Sequence, residues 1–441
     1  MEDRLELKRD LGLFDATMIV IGNVVGMGIF ITTGLLAQEL PHPLYIIAIW
    51  IIGGFLTLAG ALTYSELASA LPHAGGDYNY LKAAYGPWAG FLLGWISFFV
   101  INPGSIAALS VGAVKYLSFY FPIFKEIIQE KLMAISMVLL LSTINYLGVK
   151  AGSKTQNFLT MVKLLTIIGL IALGFTIGKG SWHHFTVFST RDFKVTNLLG
   201  TAMIAVIFTY SGWFASAYMG SEIKNPKTNL PLSFIIGTLV AMILYCTLNS
   251  IYIYALPVEE MTGVVNIGEK AASVLFGPVP ATLISLLICL AILGTLNSTI
   301  LTAPRMYYAM AKDGLFVGMM TRVHPKYRTP HVSISLQAAL SCVLIVLGTF
   351  NQLLTYVVFA ILLSSIASGI ALFTLRLRRP DLRPDYRTWG YPYTPVIFIL
   401  AYIWIAIQIL FGKPLESLIG IGIVLTGIPF YIYWKRHTLS L

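Results

Sequence analysis

Charge is what this chain has least of. Of its 441 residues only 11% are Asp, Glu, Lys or Arg, while 57% are hydrophobic and the mean hydropathy is +0.80. So little charge excludes a soluble globular domain of this length, and the apolar length suffices for about twelve spans of roughly 20 residues. Cysteine is scarce too. Cys246, Cys289 and Cys342 all fall in apolar runs, so neither a disulfide framework nor a disulfide-linked heavy subunit is expected. Walker, metal-ligand and nucleophile-elbow patterns are missing, and His183 and His184 are adjacent, a poor spacing for a metal site. An ATP-driven pump or a membrane hydrolase therefore has no support; a non-enzyme without cofactor or metal is expected. The first ten residues carry both signs of charge, and no small-residue cleavage site follows a short apolar core. The first span is expected to be its own insertion signal.

The net charge of +10 follows topology, and no nucleic-acid partner is expected. With the N-terminus inside and twelve spans counted, most of the 29 basic residues gather on one side, from Arg4, Lys8 and Arg9 to the run Arg376, Arg378, Arg379, Arg383 and Arg387. That is the positive-inside pattern, with both termini cytoplasmic. Spans are expected near residues 14–36, 44–71, 88–119, 132–148, 155–177 and from 198. Further spans are expected near 232–255, 279–310, 332–350, 353–375, 396–411 and 415–434. A turn with a short helix is expected after the second span, at Ala74-Gly75-Gly76-Asp77.

The stretch IGNVVGMGIF in the first span places Gly22, Gly26 and Gly28 beside Asn23. Each glycine costs a helix interior on the order of 1 kcal/mol. Gly22 and Gly26 also have the GxxxG spacing of close helix packing, so the stretch reads either as a contact face or as a break. The sixth span, five spans later, carries the second interruption, FTYSGW at 208–213. Paired interruptions in corresponding positions point to an inverted repeat with a site at the membrane midplane. The break at Gly26, Met27 and Gly28 would offer unpaired N–H groups to a carboxylate. Carbonyls near Val24, Phe208 and Ser211 would suit an ammonium. A zwitterion fits both ends.

GMGIF, YSELASALPHAGGDYNYL, FTYSGW with EIKNPKTNLP, and LNSTILTAPRMYYAMAKDG before HPKYRTP resemble the amino acid–polyamine–organocation superfamily, and most of all its L-type amino acid transporters. The resemblance implies an all-α, twelve-span membrane protein with a five-plus-five inverted repeat of the leucine-transporter kind and two further helices, with spans 1 and 6 broken. It implies repeats over residues 1–178 and 179–378, helices 11 and 12 in 379–441, and sodium-independent exchange of amino acids by alternating access. By motif, Met27 and Gly28 would donate to the substrate carboxylate, Val24, Phe208 and Ser211 would accept from its amino group, and the Phe208 ring would gate the site. Met27 stands where serine or threonine is common, and Ser211 replaces a frequent glycine, which favours small substrates. YFPIFKEIIQEK lacks the linker cysteine by which animal members join a glycoprotein, so a stand-alone prokaryotic inner-membrane protein is expected.

Lys163 is the one basic residue within a span. It is either an interfacial anchor or, as the resemblance implies, a replacement for the sodium of related carriers that bridges span 5 to the broken span 1. Asn297 is either an interhelical hydrogen-bond residue or part of the pocket lining. Glu66 is expected to hold loop groups, and Tyr210 and Trp213 to pack around the second break. No Asp or Glu lies in the broken segments, so a neutral, small α-amino acid is the expected substrate, with membrane lipid as the surrounding partner. A proton-coupled symporter and a non-transporting amino acid sensor are the alternatives.

Overall fold

The computed structural model describes residues 6–118, 120–187, 200, 202–347, 350–412 and 414–438. Its helices are α1 (Leu13–Val24), α2 (Thr32–Glu39), α3 (Pro43–Ala70), α4 (Asp77–Tyr85), α5 (Pro87–Ile96), α6 (Asn102–Ser118), α7 (Ile127–Tyr146), α8 (Val149–Ile177) and α9 (Met203–Tyr210). They continue with α10 (Pro226–Ala255), α11 (Val258–Met261), α12 (Ile267–Phe276), α13 (Pro278–Thr302), α14 (Pro304–Lys312), α15 (His331–Leu347), α16 (Phe350–Arg378), α17 (Tyr393–Gly412) and α18 (Pro414–Thr438). Among the described residues nine helical stretches are long and apolar enough to cross a membrane. The α1–α2 pair, α9 with its continuation, and α15 complete the twelve passes.

Several expected spans are reshaped by local chemistry. The third pass is not one helix. Between α5 and α6 the residues Ser97–Ile101 widen into a π-helical turn ahead of Asn102-Pro103. Proline has no N–H to give its own turn, and a π-turn is a usual way to absorb such a defect. The eighth pass breaks at Ala303-Pro304 into α13 and α14. The fifth begins at Val149, six residues before the expected start. Lys163 therefore lies fourteen residues into α8, roughly 21 Å along it at about 1.5 Å per residue, too deep for an interfacial anchor. After α9 the sixth pass continues as a 3₁₀ turn, Ala215–Tyr218.

Buried ion pairs fasten the face that carries the N-terminal segment. Glu66 accepts both guanidinium bonds of Arg376, at 2.8 and 2.7 Å, and a third from the Thr388 N–H at 2.7 Å, the loop-holding role expected of it. Glu222 and Arg305 form a second bidentate pair at 2.7 and 2.9 Å, with both side chains wholly buried. The Glu222 carbonyl also accepts from the N–H groups of Asp10 and Leu11, so the pair ties α14, the segment after the sixth pass, and the N-terminus together. Removing one member of a buried pair strands the other charge, at about 3–5 kcal/mol. Glu222→Gln is therefore expected to lower the thermal unfolding midpoint in detergent by several degrees more than the exposed Asp381→Asn, whose Arg379 partner is in solvent.

Candidate functional site

The first break is made by two tight turns in series. Val25 sits at φ −75°, ψ 79°, and the Gly26 N–H donates to the Val24 carbonyl at 2.8 Å. This is an inverse γ-turn. A single 3₁₀ turn, Gly28–Phe30, then leads into α2. Among the described residues the N–H groups of Met27 and Gly28 meet no protein acceptor, and both residues line a central cavity of about 330 Å³. The second break follows α9, where Ser211 turns extended and Gly212 takes a φ of +94°. A side chain at Gly212 would be strained by that φ, and its Cβ would lie 2.2 Å from Asn23 Oδ1. The two breaks thus touch, and glycine is what lets them.

Glycine packing and glycine breaking turn out to be shared among different residues. A Cβ at Gly22 would lie 1.8 Å from Gln156 on α8, so Gly22 serves close helix contact. One at Gly28 would lie 2.7 Å from Thr209 Oγ1, so Gly28 holds the break against α9. Gly26 is 3.2 Å from Thr295 by the same measure. The Met27 side chain turns toward α6, where its sulfur would meet a Cβ at Gly112.

The last turn of α1 leaves carbonyls without helical partners, and each has a distinct fate. Gly22 O accepts from Lys163 Nζ at 2.9 Å and from Thr295 Oγ1 at 2.9 Å. Lys163 Nζ also donates to Thr295 Oγ1 at 3.1 Å and is fully buried, so the amine does join α8 to the end of α1. A donor at the open carbonyl end of a helix is favourably placed. Val24 O is filled twice, by the Gly26 N–H and by the Tyr245 hydroxyl at 2.7 Å. Its two lone pairs are spent, so Val24 lines the cavity but has no acceptor left for an ammonium, contrary to expectation. Asn23 O is the unpartnered carbonyl at this end among the described residues. On α9, Phe208 O takes the Ser211 N–H at 3.0 Å, while Ser211 O has no donor among the described residues.

Asn297 is the second departure. It is fully buried and donates to Gln156 Oε1 at 2.9 Å and Gly152 O at 3.3 Å, and it accepts from Asn145 at 2.8 Å. These bonds clamp α13 to α7 and α8 away from the cavity wall, which is the interhelical role. Gly26, Met27, Gly28, Phe208 and Ser211 all line the cavity together, beside Asn23. Tyr210 and Trp213 are buried in packing, with the Tyr210 hydroxyl donating to Trp50 O at 3.0 Å.

Sequence reasoning missed Tyr245 on α10, whose hydroxyl reaches both Val24 O and Thr209 O, at 2.7 and 3.2 Å. It braces the two breaks from behind. In Tyr245→Phe those carbonyls lose that donor, a loss of about 1–3 kcal/mol at a buried acceptor. The expected outcome is a folded protein whose transport falls about tenfold, measured as uptake per reconstituted molecule. The polar cavity wall of Thr295, Thr299 and Thr302 on α13 was also missed, although a spacing of four and three is the signature of one helix face. Among the described residues no Asp, Glu, Lys, Arg or His lines the cavity.

A multi-pass, all-helical membrane protein with a central cavity built on the exposed main chain of two broken helices is the class these features define. Residues 11–432 match the model of the amino acid permease family, and the chain belongs to that family. It is similar to the serine/threonine exchanger SteT of Bacillus subtilis (strain 168), 32% identical over 440 residues that cover 98% of each chain. It is similar to the human large neutral amino acids transporter small subunit 2, 29% identical over 98% of this chain and 82% of that one. The mouse Asc-type amino acid transporter 1 is 27% identical over 98% and 83%.

Proposed function

We propose that the protein is a sodium-independent exchanger of small neutral L-α-amino acids working by alternating access. The observation that carries this reading is that Met27 and Gly28, whose N–H groups are unpartnered among the described residues, line the same cavity as Asn23 and Ser211, whose carbonyls are likewise unpartnered. Two donors at a helix N-terminal end and acceptors at opposing C-terminal ends match a carboxylate and an ammonium on one carbon. A cavity lined without ionisable acids or bases suits an uncharged substrate side chain. The name of one relative, a serine/threonine exchanger, supports small neutral cargo, and that of another, a large neutral amino acids transporter, supports neutral cargo of larger size.

In this reading Phe208 closes the cavity on the face opposite the N-terminus, and Lys163 holds the end of α1 where related carriers place sodium. Residues 1–178 and 179–378 are the two inverted repeats, and 379–441 supplies helices 11 and 12. The protein acts in the cell membrane with both termini in the cytoplasm and without a disulfide-linked heavy subunit, and it is not an enzyme.

The test is uptake of radiolabelled alanine into sodium-free proteoliposomes, empty or preloaded with unlabelled serine. Uptake that needs preloading is the expected result. Uptake into empty vesicles driven by an imposed proton gradient would make the protein a symporter instead, and binding without uptake would make it a sensor.

A further inference from the structure

Asp77 is a buried acid that no cation pairs with among the described residues. It opens α4, in the turn between the second and third passes, and is 1% exposed. Its Oδ2 accepts from the Tyr64 hydroxyl at 3.5 Å, and its Oδ1 has no hydrogen-bond partner among the described residues. The titratable groups around it are phenols: Tyr64 from α3, Tyr80 from α4 and Tyr218 from the segment after α9. From α16 come the Ser365 and Ser368 hydroxyls, which face Tyr64, and α5, also packed on α4, brings no titratable side chain. The charged groups of the neighbourhood are engaged elsewhere. Lys82 pairs with Asp313 at 2.6 Å, and Arg376 pairs with Glu66. His73, before the turn, faces Lys82, Arg9 and Lys312.

A buried carboxylate without a cation is costly, and neutralisation relieves the cost. Burial accordingly pushes the Asp77 carboxyl up to about 7. The turn that carries it is docked on the segment after α9, residues of which line the cavity. The Gly75 N–H donates to Tyr218 O at 3.2 Å and the Ala74 N–H to Ser221 Oγ at 2.9 Å. A Cβ at Gly76 would lie 2.9 Å from the Tyr218 ring, and Tyr218 itself lines the cavity. Tyr218 thus both senses the charge of the acid and lines the cavity.

We propose that Asp77 is a proton-binding site coupled to the cavity mouth on the N-terminal face: neutral Asp77 keeps the turn docked on Tyr218, and release of its proton to the solution on that face undocks the turn and opens the mouth. The sign follows from burial. The docked form binds the proton more tightly than an undocked, hydrated one, so docking is favoured at low pH and lost as pH rises through the docked-state value. The functional meaning rests on the alternating-access reading, but the opening can be measured without transport.

The experiment labels Thr302→Cys, a cavity residue, with a membrane-impermeant thiol reagent, after replacing the three native cysteines. Rates at about pH 6 and about pH 8 are divided by those of the same protein carrying Asp77→Asn, which cancels the titration of the thiol itself. The expected ratio rises by about three- to tenfold from the lower to the higher pH, because one proton is released over that interval. Tyr64→Phe, which removes the hydroxyl that favours the ionised acid, moves the rise to higher pH. A ratio that does not change with pH overturns the proposal, as does a Tyr64→Phe profile shifted to lower pH. Should Asp77→Asn fail to fold, the Tyr64→Phe shift in the otherwise unaltered Thr302→Cys protein decides alone. A pH-dependent ratio in a protein that exchanges nothing would defeat the exchanger reading and leave the proton site standing.

Discussion

Gly28→Ala is expected to reduce amino acid exchange about a hundredfold while leaving a folded, membrane-inserted protein. The added Cβ would lie 2.7 Å from Thr209 Oγ1 and 2.8 Å from its Cγ2. Thr209 cannot simply turn away, because its hydroxyl meets Thr32 Oγ1 at 2.9 Å and donates to Ala205 O at 2.8 Å. Overpacking of this kind costs about 1–3 kcal/mol, and here it is paid where Met27 and Gly28 present their N–H groups. A hundredfold loss corresponds to about 2.7 kcal/mol, within reach of that strain. Adding Thr209→Ala empties the space the new methyl needs, so the double variant should recover part of the activity. Counterflow of radiolabelled alanine, normalised to reconstituted protein, checks both. A Gly28→Ala protein that exchanges at the normal rate would show that the close approach to Thr209 does not matter.

The second large effect is expected at Lys163. Lys163→Met keeps most of the volume and removes the donor, leaving Gly22 O to Thr295 alone and the end of α1 without the amine that tied it to α8. Exchange should fall at least about tenfold, as expected when the groups that position a binding end shift out of register, and adding sodium should not restore it. Lys163→Ala should behave the same way. Wild-type rates in Lys163→Met would reduce the lysine to packing, and rescue by sodium would mean that the site still accepts the ion.

These two residues also show what could be read from the sequence. The break at Gly26–Gly28 was legible only through its pairing: three glycines in seven positions suit close packing as well as a break, and the second interruption, five spans later, favoured the break. Lys163 stood out because a charge inside an apolar run is conspicuous, although its depth could be fixed only once α8 was seen to begin at Val149. What stayed hidden were choices made between elements. Val24 O is consumed by Tyr245, a residue 221 positions away, and no local pattern says which carbonyl a distant hydroxyl will take. Asn297 could not be assigned to pocket or clamp because a polar residue on a helix does not announce its face; Asn145 and Gln156 decided it. Asp77 read as part of a turn. Only the packing of Tyr64, Tyr80 and Tyr218 around it reveals a buried acid.

The most direct test of recognition by the main chain of the two breaks is a competition measurement with fragments of the substrate. Proteoliposomes preloaded with serine take up radiolabelled alanine in the presence of serine, of ethanolamine, which lacks the carboxylate, or of lactate, which lacks the ammonium. The geometry at Met27, Gly28, Asn23 and Ser211 predicts that only serine competes, with each fragment weaker by at least about a hundredfold, because a charged hydrogen bond lost at a desolvated site is worth about 1.5–3 kcal/mol and leaves its partner unpaired. Competition by ethanolamine or lactate at concentrations similar to serine would contradict it.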